Sequence, residues 1–243
     1  MASLESVRQK IDHAKWHRNL LYTESSGYIR SNPGEMVANP DGDPNTFIYR
    51  QKEVVPARIG LLVGDCMQNL RSAFDYLIWE LVLAAGNTPT DRHMFPSCLT
   101  ERSFKDALRG RRLKGITYGA KALVQSLQPY THTNPAEHWL AILDELSNIN
   151  KHRKLFLTSL SSFSVSGLLD QLNRLSDTEF IGVIHETTSG GVFTAEQVNM
   201  QGDLMAFIAF DEGTVKGMDV GILVENYIGL TSTAIEAFEQ FFV

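Results

Sequence analysis

Two short stretches of this chain concentrate the side chains that could do chemistry, and each sets them into an otherwise apolar run. The first holds Asp65, Asn69, Arg71, Asp75 and Tyr76; the second holds Asn148, Asn150, Lys151, His152 and Arg153. Arg71 and Asp75 stand four apart, the spacing at which a helix lets a guanidinium meet a carboxylate. On the same stretch Asp65, Asn69, Ser72 and Tyr76 follow at spacings of four, three and four, so they would form a polar seam along one flank. In the second stretch Arg153 falls in the middle of the stripe Trp139, Ile142, Leu143, Leu146 and Ile149, with Asn148 and His152 on one flank and Glu145 near them. A guanidinium on an apolar face needs a carboxylate or several acceptors, because breaking a buried pair costs about 3–5 kcal/mol. Asp65 and Asp75 are the candidates, so the spacing predicts two facing helices with Arg153 in hydrogen-bonding reach of Asp65, Asn69 or Asp75.

Other spacings carry less. His13 and His17 lie four apart and could share a metal ion, but no Glu follows His13 to complete a zincin-like motif, and a partly exposed helix face explains them as well. The basic run Arg109, Arg111, Arg112 and Lys114, broken by Gly110 and Gly115, could touch phosphate or be a solvated helix end. Ser72 and Ser147 are near His152, yet no spacing makes either a nucleophile. There is no phosphate-binding Gly-rich loop, dinucleotide motif, zinc-ligand set or nucleophile elbow in the chain. No cofactor or metal is therefore expected.

The elements that position these residues can be read from periodicity. From Pro56 to Gly86 there is no internal proline; Pro56 suits a first turn, and Gly86-Asn87 followed by Pro89 supplies a stop. Ile59, Cys66, Leu70, Ala73, Leu77, Leu81 and Ala84 share one face, with Val63, Met67, Phe74 and Ile78 beside them. That arc is too wide for a surface helix and predicts a central one, packed on more than one side. A first helix is expected from about Ser3 to Tyr22 or beyond, further helices from Thr100 and over 120–127, the Arg153 helix over 135–157, and a last one over 220–243. Residues 31–45, rich in Asn, Pro and Gly, are expected to be loop, followed by a short strand at 46–50. Segments near 155–165, 179–188 and 204–211 carry β-formers and predict a small antiparallel sheet.

The expected class is thus mainly α (α+β): a helical core over 1–157, a β-rich insertion over 158–215, and a C-terminal helix over 216–243 that packs back on it as part of a single domain. A net charge of −6 argues against broad non-specific nucleic-acid binding. Two cysteines, Cys66 and Cys98, form no disulfide framework, and the charged N-terminus has no secretory pattern, so a reduced cytoplasmic protein is expected. The most apolar segment carries Asp65, Asn69, Arg71, Asp75 and Glu80, which excludes a simple membrane span.

The pattern Gly64-Asp65, Asn69 through Ala73 with Asp75, Phe95-Pro96, Gln128 to Tyr130, and Asn148 with Lys151-His152-Arg153 resembles a group of uncharacterised bacterial proteins over residues 1–157. More remotely, the helical arrangement resembles the HEPN superfamily, whose nuclease members carry an R-x(4–6)-H motif and pair two motifs across a dimer. That resemblance implies a HEPN-like bundle, RNA as partner, a homodimer, and metal-independent RNA cleavage. Here Arg71 is followed five positions later by Tyr76 rather than His. The implied endonuclease would use Arg71 and Arg153 to stabilise phosphate charge and His152 to transfer the proton. The alternative is a non-catalytic protein whose Asp/Asn/Arg/His network, including Asp65, Asn69, Asp75, Tyr76, Asn148 and Lys151, is structural or forms a ligand or partner pocket.

Overall fold

The computed structural model describes residues 2–38, 46–152, 157–163, 193–194 and 204–242; at Asn150, Lys151 and His152 it describes the backbone only. The protein is mainly helical. Helix α1 runs Glu5–Arg30 and α2 Ala57–Ala84, followed by the shorter α3 (Glu101–Arg109) and α4 (Tyr118–Ser126), then α5 (Trp139–His152) and α6 (Val220–Glu236). No helix among the described residues is long and apolar enough to cross a membrane.

Local chemistry sets these boundaries. α2 ends where Gly86 takes φ +75°, with Asn87 N–H donating to Val82 O at 3.0 Å and Gly86 N–H to Leu83 O at 2.9 Å. These are the two bonds of a Schellman close, which needs a residue tolerant of the left-handed region at that point. α3 begins on a capping box in which Thr100 and Ser103 satisfy each other's backbone N–H groups. α5 starts four residues later than periodicity suggests, because Pro135 opens a separate 3₁₀ turn over Pro135–Glu137 and His138 is extended.

The chain divides into two compact units. One comprises Met1–Leu20, Leu61–Lys154 and Val224–Val243; the other comprises Leu21–Gly60 and Leu155–Leu223. Three of the boundaries between them fall within α1, α2 and α6, and the fourth lies at 154/155.

In the first unit, α2 is the central element. Val63, Cys66, Met67, Leu70, Ala73, Phe74, Leu77 and Ile78 are all fully buried; of the expected face only Ala84 is exposed. Phe74 stacks at 4.8 Å on Phe95 and 5.8 Å on Trp139 of α5, and Trp139 meets Tyr227 of α6 at 6.5 Å. Cys66 donates its thiol hydrogen to Ala14 O of α1 at 3.4 Å. A buried helix with neighbours on several sides is what a wide apolar arc requires.

The second unit holds the strands: β1 (Gly34–Ala38), β2 (Thr46–Gln51), β3 (Leu157–Phe163), β4 (Phe193–Thr194) and β5 (Leu204–Phe210). β1, β2 and β4 form one antiparallel sheet and β3 pairs with β5 in another. β1 corrects the expectation of loop over 31–45. Its register with β2 runs from Gly34↔Gln51 to Ala38↔Phe47, and the Tyr49 ring lies over Gly34 so closely that a Cβ there would fall 2.3 Å from its Cζ. Glycine at 34 marks a close approach between strands, not a turn. The strand expected near 179–188 lies outside the described residues.

Candidate functional site

The polar groups of α2 do not form a single seam with one partner. Arg71, 9% exposed, points toward α5 and the connection that follows α2. Its Nε donates to Asp144 Oδ1 at 2.7 Å, its Nη1 to Asp75 Oδ1 at 2.9 Å, and its Nη2 to the carbonyl of Phe95 at 2.9 Å. Asp75 Oδ1 also accepts the Phe95 N–H at 2.9 Å, so arginine and aspartate together hold both polar groups of one peptide residue. Burial works against the charged guanidinium, but the adjoining Asp75 and Asp144 outweigh it and hold the Arg71 pKa above its ordinary value.

The next residues of that connection are held by a second buried side chain. Gln128, with no exposed surface, donates through Nε2 to Pro96 O at 2.8 Å and Val124 O at 3.0 Å, and accepts from Cys98 N at 3.2 Å. Tyr130 N adds a bond to Cys98 O at 3.0 Å. Residues 95–98 thus form a strap fastened by Arg71, Asp75, Gln128 and the Tyr130 backbone. Three of the quoted motifs, Phe95-Pro96, Gln128-Pro129-Tyr130 and the Arg71/Asp75 pair, meet on this strap.

The remaining seam residues face other neighbours. Asp65, half-exposed, lies 3.8 Å from His17 Nδ1 on α1. Burial lowers the His17 pKa, Asp65 opposes that shift, and His13 adds to it. Asn69 donates to Asp65 O of its own helix at 2.9 Å. Gln68 joins Ser72 at 3.2 Å and accepts the Ser147 hydroxyl of α5 at 2.7 Å, so the Ser147 hydroxyl hydrogen is already engaged. Tyr76 is 44% exposed, with Lys10 Nζ 5.2 Å from its ring centroid. On a helix five residues turn about 140°, and Arg71 and Tyr76 accordingly touch different elements.

On α5, Asn148 donates to Asp144 Oδ2 at 3.4 Å and is exposed. Arg153, together with the side chains of Lys151, His152 and Asn150, lies outside the described residues, and so does the expected pairing of Arg153 with Asp65, Asn69 or Asp75. Asp144 was not singled out by spacing, although a buried arginine with donors on three nitrogens signals the need for more than one carboxylate. Gln128 stands in the sequence as the first residue of the Gln128 to Tyr130 motif, but no spacing assigns its amide a partner.

No group of three or more His, Cys, Asp or Glu side chains is placed to hold a metal ion among the described residues. Burial pushes the Cys66 thiol up to about 12 and raises that of Cys98, so neither is a thiolate near neutral pH. No known family profile, no curated protein and no solved structure matches this chain.

One titration has a direct stability consequence. At the start of α5, His138 Nδ1 accepts the Leu140 N–H at 3.2 Å, a bond that needs an unprotonated nitrogen, and His132 lies 5.6 Å away. Burial, with His132 adding to it, lowers the His138 pKa to about 4 from an ordinary 6.5. A folded-state pKa below the unfolded one gives stability that is present above pH ~6.5 and lost as pH falls toward ~4. Thermal midpoints measured across that window should fall with acidification, and His138→Asn, which keeps a cap acceptor without titrating, should flatten the fall. An equal slope in wild type and variant would remove His138 as the cause.

Proposed function

We propose that this chain is a HEPN-like but non-catalytic helical protein, whose Arg71–Asp75–Asp144 network is a folding device and whose role is to bind a partner rather than to cleave RNA. The observation that supports this reading is the state of Arg71. Its Nε, Nη1 and Nη2 are each bound within the protein, two of them to carboxylates. For Arg71 to stabilise a phosphate, the anion would have to displace Asp75 or Asp144 and approach a cluster that carries two negative charges against one positive. Exposed phosphate sites leave their guanidinium forks free; this one is closed over a backbone carbonyl. The apolar side chains of Tyr76, Trp79 and Leu83, 40–44% exposed at helical spacing on α2, agree with a protein that works through its surface.

The rival reading, an RNA endonuclease using Arg71, His152 and Arg153, predicts cleavage that survives chelation. Purified protein incubated with single-stranded and structured RNAs in EDTA should leave them intact, and His152→Ala should behave as wild type does. General acid–base catalysis contributes about 10²–10⁴-fold. EDTA-resistant cleavage that disappears in His152→Ala would overturn the proposal.

A further inference from the structure

We propose that the elbow joining α3 to α4 is a docking surface for a short acidic segment of a partner protein, one that carries apolar side chains among its carboxylates. From Arg102 to Tyr118 the chain places six cationic side chains, Arg102, Lys105, Arg109, Arg111, Arg112 and Lys114, against a single acid, Asp106. Lys105 is paired with Glu101 at 2.7 Å and Arg109 with Asp106 at 2.7 Å. Arg102, Arg111, Arg112 and Lys114 have no carboxylate within ion-pair reach among the described residues. This lies on a protein whose net charge is −6, so the cationic elbow runs against the general field.

The elbow is built to hold a shape. α3 winds on into it through Arg111 N to Leu108 O at 3.0 Å, Arg112 N to Ala107 O at 3.2 Å and Lys114 N to Arg111 O at 3.2 Å. Leu113 and Ile116 are buried and anchor it from below. Two side chains from the turn after α2 clasp its backbone: Asn87 Nδ2 donates to Gly115 O at 2.9 Å, and His93 Nε2 donates to Lys114 O at 2.8 Å. His93 Nδ1 accepts from Thr90 N at 2.7 Å, which fixes the tautomer that makes the second clasp. Arg111 sits at φ +67°, in the left-handed region that side chains disfavour. A glycine would be at ease there, yet the position carries an exposed, unpaired guanidinium.

Basic residues at a helix end also complement the helix dipole, but that effect falls off within the last turn. It covers Arg109 and leaves Lys114 and Tyr118 unexplained. Tyr118 is 88% exposed and Leu108 36%, so apolar surface is interleaved with the free cations. Arginine forks match carboxylates bidentately, and the tyrosine and leucine would take the partner's apolar side chains. A long nucleic acid would meet four free cations and then the net negative charge of the remaining protein, whereas a short acidic segment needs only the elbow.

The test uses the full chain and fluorescence anisotropy with a labelled peptide of alternating glutamate and leucine, its lysine-for-glutamate counterpart, and single-stranded poly(U) and poly(dT). The acidic peptide should bind, more weakly as salt is raised to a Debye length of about 8 Å, and the basic counterpart should not. Arg111→Glu combined with Lys114→Glu should weaken binding about tenfold or more, and Tyr118→Ser should weaken it severalfold. Arg111→Gly relieves the backbone, so it should fold at least as well as wild type while still weakening the peptide. Failure of the acidic peptide to bind, unchanged affinity in these variants, or tighter binding of either polynucleotide than of the peptide would each overturn the proposal.

Discussion

Replacing Arg71 by methionine is expected to destabilise the protein by about 3 kcal/mol, the larger part of it from the charges left behind rather than from the contacts removed. Methionine keeps much of the side-chain volume within the buried helix, so little of the loss should come from a cavity. What it removes is the cation that Asp75 and Asp144 share, together with the donor to Phe95 O. The side chains of Asp75 and Asp144 keep 40% and 34% of their surface exposed, which places the cost at the lower end of the range for breaking a buried pair. Changing Asp75 and Asp144 to asparagine in the Arg71→Met background should recover part of the loss, because the unpaired charges then vanish. Urea denaturation followed by far-UV circular dichroism measures both steps. If the triple variant is no more stable than the single one, the three side chains do not act as a unit and their network is not a folding device.

The parts of this fold that sequence makes legible are those whose causes are local. The extent of α2 follows from Pro56 at one end and Gly86-Asn87 at the other, and its central place follows from an apolar arc that no surface helix needs. The Arg71–Asp75 pair is legible for the same reason, since one turn of helix sets their separation. β1 was hidden because Asn32, Pro33 and Gly34 are turn formers by composition, while pairing with β2 across the sheet decides the conformation. Asp144 was hidden differently. It sits beside the apolar stripe of α5, and only the register of α5 against α2 brings it to Arg71. Gln128 has backbone partners as many as 32 residues away, which no spacing rule can reach. The Gln128 to Tyr130 motif marks its position, and nothing in the motif says which backbone its amide holds.

Gln128→Met should have an effect of similar size to that of Arg71→Met, about 2–3 kcal/mol, caused by backbone groups left unsatisfied. Methionine is close in shape, so packing is largely kept. The Cys98 N–H and the Pro96 carbonyl, however, lose their partner in a place without access to water. Arg71 and Gln128 are not bonded to each other; they hold adjacent residues of the same strap, Phe95 on one side and Pro96 and Cys98 on the other. Once either is lost the strap can lift, and the other then has less native geometry to maintain. Combining Arg71→Met with Gln128→Met should therefore cost less than the two single losses added together, by about 1 kcal/mol. Independent sites would instead add to within about 0.5 kcal/mol, and that result would mean that residues 95–98 are two separate attachments and not one cooperative element. The same cycle bears on function. If the strap is one unit closed by Arg71, then opening Arg71 to a phosphate would release the connection between α2 and α3, and a catalytic role for this arginine would require the protein to loosen where Arg71 fastens the strap.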